Sequence, residues 1–147
     1  MRFRKTAAGA LILALTVLSA LHAGGRKEEI NMISLNMLTD ESGGGQGDAV
    51  IEAGFLPGQH LSYTFELYES VGFDADYRIS DQSVLAFVER KEKYVNPKQM
   101  RQGMTGADDA EGTFVFRTLK PGRATLIILH LFRGDVEKEI SFRLTVE

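Results

Sequence analysis

The chain has 147 residues, with 17 Lys and Arg against 20 Asp and Glu, and it contains neither cysteine nor tryptophan. That length suits one ordinary domain behind a short targeting segment. Lack of cysteine excludes disulfides, a thiol nucleophile, thiolate metal sites and lipid attachment through a cysteine, and the net acidity argues against nucleic acid or anionic lipid as a partner.

Residues 1–23 read as a signal peptide. Arg2, Arg4 and Lys5 form a basic head, residues 7–23 carry no charge, and small residues close the run. Cleavage is expected after Ala23, with Ala20 as the second candidate. The apolar run falls short of the roughly 20 residues of a comfortable membrane span. An exported chain, periplasmic or secreted, monomeric and with no stable membrane insertion, is therefore expected. Without the three basic residues of the head, 14 basic face 20 acidic residues, a net of −6.

Residues 24–48 hold a first strand around positions 30–35, followed by Asp40-Glu-Ser-Gly-Gly-Gly-Gln-Gly-Asp48, whose glycines resist order and mark a linker or long loop. The main domain occupies residues 49–147. A short strand near 49–53 leads to the turn signal Leu56-Pro57-Gly58-Gln59. Leu61, Tyr63, Phe65 and Leu67 then alternate with polar residues, the period of a strand with one face inward. Residues 70–74 interrupt as a loop, a strand resumes over 75–79, and Asp81-Gln82-Ser83 turns into a further strand at 84–88. Residues 89–94 extend it as an exposed edge guarded by Lys and Glu. The longest irregular segment is 96–111.

Residues 112–131 are the most informative. Two β-rich runs flank Lys120-Pro121-Gly122-Arg123, where proline suits the second and glycine the third position of a type II turn. This predicts a tight hairpin. Phe114 and Phe116 alternate with Val115 and Arg117, whereas residues 124–131 are apolar on both faces, as in a strand covered above and below. Phe132-Arg-Gly-Asp135 turns the chain into a last strand at 139–146, with Ile140, Phe142, Leu144 and Val146 on one face. Short strands between turn residues, with no helix after Ala23, predict an all-β sandwich.

This order of features resembles the chagasin-type inhibitors of papain-like cysteine peptidases, over roughly residues 56–147. The pattern that carries the resemblance is a glycine (Gly112), an aromatic-x-aromatic strand (Phe114, Phe116), a Leu-Lys-Pro-Gly turn (residues 119–122) and an Ala-Thr-Leu strand (residues 124–126). Pro57-Gly58-Gln59, Gly72-Phe73 and Ser83-Val84-Leu85 add to it. The resemblance implies an immunoglobulin-like antiparallel sandwich, no enzymatic activity, no cofactor, and a peptidase as partner. The family's three binding motifs are altered here. The Asn-Pro-Thr-Thr-Gly loop becomes Glu69-Ser70-Val71-Gly72, the tight glycine-rich loop becomes Gly103-Met-Thr-Gly106 and onward, and Arg-Pro-Trp becomes Phe132-Arg133-Gly134.

Connections in such a sandwich alternate between its two ends, so the loops near 70–74, 96–111 and 131–135 should meet at one end. Ser70, Val71, Gly72, Phe73, Asp74, Gly103, Thr105, Gly106, Phe132, Arg133 and Gly134 are thus the candidate protein-binding residues, with Phe73, Phe132 and Arg133 of the types that anchor interfaces. The alternative function is an immunoglobulin-like structural or adhesion module without a peptidase target. Catalytic chemistry finds no constellation. His130 shares a face with Ala124, Leu126 and Ile128 and reads as structural. Asp74 with Asp76, and Asp108-Asp109-Ala-Glu111, offer carboxylates without a calcium-loop spacing, and Arg133-Gly134-Asp135 is accounted for by a turn. No metal site is expected.

Overall fold

The structure, a computed structural model, describes residues 31–41 and 49–147. The segment expected to be a signal peptide, its expected cleavage site and the glycine-rich stretch 42–48 lie outside the described residues. Eight strands and two short helices follow in the order β1 (Met32–Ser34), α1 (Asn36–Glu41), β2 (Ala49–Phe55), β3 (His60–Tyr68), β4 (Phe73–Ile79), β5 (Leu85–Tyr94), α2 (Pro97–Arg101), β6 (Asp109–Thr118), β7 (Gly122–Phe132) and β8 (Asp135–Val146).

Hydrogen bonding runs β2-β8-β7-β4-β3-β6-β5, with β1 parallel to β3 and β2 parallel to β8, so the sandwich is mixed where a purely antiparallel one was expected. Between β3 and β4 the register holds only Tyr68 opposite Phe73, so the path folds there into two layers, β1-β3-β6-β5 and β4-β7-β8-β2. Tyr63 on β3 meets Phe142 on β8 with ring centroids 5.9 Å apart, and Tyr77 on β4 meets Phe116 on β6 at 5.3 Å. The layers therefore face each other across one core. Leu61, Tyr63, Phe65 and Leu67 are all buried, as their alternation predicts, and so are Ile140, Phe142, Leu144 and Val146. Each such side chain contributes about 1.5–3 kcal/mol on burial.

The hairpin expected at Lys120-Pro121-Gly122-Arg123 is not one. β6 pairs with β3 and β5, while β7 pairs with β4 and β8. Both edges of each strand are occupied, so the connection crosses from one layer to the other. Its local chemistry differs accordingly: Gly122 adopts φ 152°, far from the roughly +80° of a type II third position. The glycine is required by contact, since a Cβ there would lie 2.7 Å from Val84 Cγ2.

Two helices also depart from the all-strand expectation. In α1 the backbone leaves its pairing with β3, and the Asn36 side chain replaces it, donating to Thr64 O and accepting from Thr64 N, both at 2.8 Å. Leu35 just before it is fully buried. The N-terminal strand is thus part of the sandwich. In α2, Pro97 at the first turn supplies a preset φ and lacks only an N–H that would have no helical partner.

Candidate protein-binding end

Three connections meet at one end of the sandwich. The first, residues 69–72, closes on Tyr68 O through the amides of Val71 (3.1 Å) and Gly72 (2.8 Å), with Gly72 at φ 100°. The third, between β7 and β8, is a two-residue turn in which Arg133 and Gly134 have φ 52° and 89°, the signature of a type I′ hairpin. These two touch directly. Arg133 N donates to Gly72 O at 2.8 Å, and a Cβ on Gly72 would stand 2.9 Å from Arg133 Cγ and 3.1 Å from its amide nitrogen. Behind the turn, Phe73 lies opposite Phe132 with ring centroids 5.0 Å apart, and the Arg133 guanidinium sits 5.0 Å from the Phe132 centroid.

The second connection, residues 95–108, is a closed loop with its own internal bonds. Val95 N reaches Asp109 O at 2.9 Å, Met104 N reaches Gln99 O, and Ala107 N reaches Met104 O, with Ala107 buried beneath. Gly103 and Gly106 take φ 66° and 76° to close it. Two bonds fasten it to the first loop: Asp108 Oδ2 accepts from Ser70 N at 2.6 Å and Oδ1 from Ser70 Oγ at 2.9 Å. The Tyr68 hydroxyl adds a bond to Gly106 O at 3.2 Å. Donation from the Ser70 amide, reinforced by its hydroxyl, holds the Asp108 carboxyl below the usual carboxylate range.

The candidate residues therefore fall into one neighbourhood, with the first loop between the other two. Ser70 and Thr105 are exposed and Val71 is half-buried. Phe73 and Asp74 belong to β4 rather than to a loop, and Phe132 is the last residue of β7. Phe73 and Phe132 are half-buried against each other, while Arg133, Gly134 and Gly103 stand exposed at the tips.

Sequence reasoning missed three contributors. Asp108, weighed as a metal ligand, instead ties two loops. Tyr68 supports Gly106. Arg90 bridges the layers, pairing with Asp74 Oδ1 and Glu92 Oε1, both at 3.0 Å, while its guanidinium lies 5.3 Å from the Phe65 centroid. A bulge between Phe87 and Glu89 shifts the β5 register and sets Arg90 opposite Phe114. With side chains 30% and 45% exposed, the Arg90–Asp74 pair contributes about 0.2–1 kcal/mol. Asp74 is thereby occupied as an ion-pair partner, not as half of a carboxylate pair with Asp76.

His130 joins β7 to β3, its Nε2 2.7 Å from the Tyr63 hydroxyl. Burial, with the nearby Lys138 charge, lowers its pKa, and burial pushes the Tyr63 phenol up to about 12. Both groups are neutral at pH 7 and serve the core. Two shallow depressions hold about 220 and 240 Å³, below the ~300–1,000 Å³ of typical small-molecule sites. What this end offers is a rim of three loops joined by hydrogen bonds.

No protein-family model matches the sequence, and no curated protein matches it. Among solved structures, the chain is similar to EhICP2, a cysteine protease inhibitor from Entamoeba histolytica, at 11% identity and a TM-score of 0.50, over 79% of this chain and 94% of that one. It is also similar to PbICP-C, solved in complex with falcipain-2, at 11% identity and a TM-score of 0.49, over 79% and 98% of the two chains. Amebosin follows at 8% identity and a TM-score of 0.42, over 71% and 100%. The likeness is one of fold: the chain is built as an all-β sandwich.

Proposed function

We propose that this chain is an exported, non-enzymatic, protein-binding domain that inhibits a papain-like cysteine peptidase by covering its active-site groove. The observation that carries the reading is the joining of three loops into one rim, through Ser70–Asp108 on one side and Gly72–Arg133 on the other. Occlusion requires no chemistry from the inhibitor. It requires a wedge whose shape is set before binding, so that little conformational entropy is lost on association. Closed loops with internal bonds, mounted on two packed sheets, meet that requirement. The fold shared with a cysteine protease inhibitor supports the same reading, and the basic head and apolar run of residues 1–23 support export.

The test is a titration. Residues 24–147 added to active papain or cathepsin L should abolish turnover at sub-micromolar concentration, reversibly and without cleavage of the added chain. Full turnover at high micromolar concentration would reject the reading and leave the immunoglobulin-like structural or adhesion module in its place.

A further inference from the structure

The 95–107 segment differs in character from the rest of the domain. It holds two cations, Lys98 and Arg101, and no acidic residue, in a chain whose acidic residues outnumber its basic ones. Both cations are exposed, and among the described residues neither forms an ion pair. Val95, Met100 and Met104 of the same segment are 58%, 37% and 52% exposed. Its backbone is nevertheless closed on itself and fastened to its neighbour at Asp108. A rigid loop that leaves flexible thioether side chains and unpaired cations in solvent is organised for contact, because methionine adapts its shape to an apolar pocket at small cost.

We infer that this segment selects the partner: Met100 and Met104 enter an apolar subsite, and Lys98 and Arg101 face an acidic rim around it. The inference rests on the peptidase-inhibitor reading and specifies which groove would be bound. Charge complementarity fixes the choice of occupant, since opposite charge at the rim accelerates encounter while the buried apolar anchors slow dissociation. A groove with a basic rim would be rejected by the same two cations.

The experiment measures association and dissociation rate constants of residues 24–147 with two papain-like peptidases, one with an acidic groove rim and one with a basic rim, between about 20 and about 300 mM NaCl. For the acidic-rimmed enzyme, the association rate constant should fall about tenfold over that range. Lys98→Glu with Arg101→Glu should lower it about tenfold at low salt and flatten the salt dependence, at unchanged melting temperature. Met100→Ala with Met104→Ala should raise the dissociation rate constant about tenfold. Inhibition by the wild-type chain with both double variants within about twofold of it would overturn this inference and leave the inhibitor reading standing. Tighter inhibition of the basic-rimmed enzyme would overturn it as well. No inhibition of either enzyme would remove both. Salt-reversible binding to phosphatidylserine vesicles, lost in the charge variant while peptidase inhibition is kept, would assign the segment to a lipid surface instead.

Discussion

The two ends of the sandwich are held by different means. At the end away from the candidate rim, connections 56–59, 80–84 and 119–121 are fastened to the core. Thr118, fully buried, donates its hydroxyl to Leu56 O at 2.7 Å and accepts from Gln59 N at 2.9 Å, while its backbone exchanges bonds with Gly58 and Gln59. Leu119 N bonds Val84 O, and Val84 packs on Gly122. At the rim, the ties run from loop to loop, and the Ser70–Asp108 bonds are exposed. The first end resists unfolding. The second is shaped by contacts that can change without disturbing the core, which leaves it free to vary with a partner.

Substitutions at the two ends should therefore separate stability from binding. Thr118→Val removes a hydroxyl that satisfies the part-buried amide of Gln59, and leaving that amide short of its partner costs about 1 kcal/mol. Thermal melting should drop by roughly 4–8 °C per kcal/mol, with peptidase inhibition by the folded fraction unchanged. A loss of inhibition without a drop in melting would reverse the assignment of the two ends.

Asp108→Ala should do the opposite. It frees the 95–108 loop from Ser70 and should weaken inhibition about tenfold, with a melting temperature close to that of wild type. Partial rescue by Asp108→Asn, whose carbonyl can still accept the Ser70 amide, would show that the tie rather than the charge matters. Equal stability loss at positions 108 and 118, read by denaturant melts, would erase the distinction.

Arg133→Asn sharpens the comparison at smaller scale. Arg133 holds φ 52°, a conformation that asparagine tolerates better. Melting should rise by the equivalent of up to about 1 kcal/mol, while inhibition weakens through loss of the guanidinium beside Phe132.

The pH dependence follows from His130 and Asp108. His130 has a depressed folded pKa. As pH falls below its unfolded value near 6.5, the unfolded chain takes up the proton first, so stability declines from about pH 6.5 downward. Asp108, also depressed, contributes stability above its unfolded value near 3.8 that is lost as pH falls through its folded value. His130→Gln should flatten melting between pH 7 and pH 5 and leave the lower, carboxylate-driven decline intact.

Much of this fold was legible because alternation reports burial directly. The apolar positions of β3 and β8 are in the core where the two-residue period puts them. Pairing was less legible. Lys120-Pro121-Gly122-Arg123 has the residues of a hairpin turn, yet a reversal within one layer and a crossing between layers use the same local chemistry, and only the neighbours of β6 and β7 decide between them. The helices were missed because five or six residues carry too little periodicity to announce a helix. At the rim, alternation of ends was enough to expect three loops together. The ties between them were invisible, since Ser70 and Asp108 are 38 positions apart and an acidic run reads equally well as a solvated loop or a cation site.

Amide hydrogen exchange on the complex with papain tests the central claim most directly. Binding should slow exchange in residues 69–72, 95–108 and 133–134 and leave residues 56–59, 80–84 and 119–121 as they are in the free domain. Protection confined to the Thr118 end, or spread evenly over both ends, would contradict a working surface built from the three joined loops.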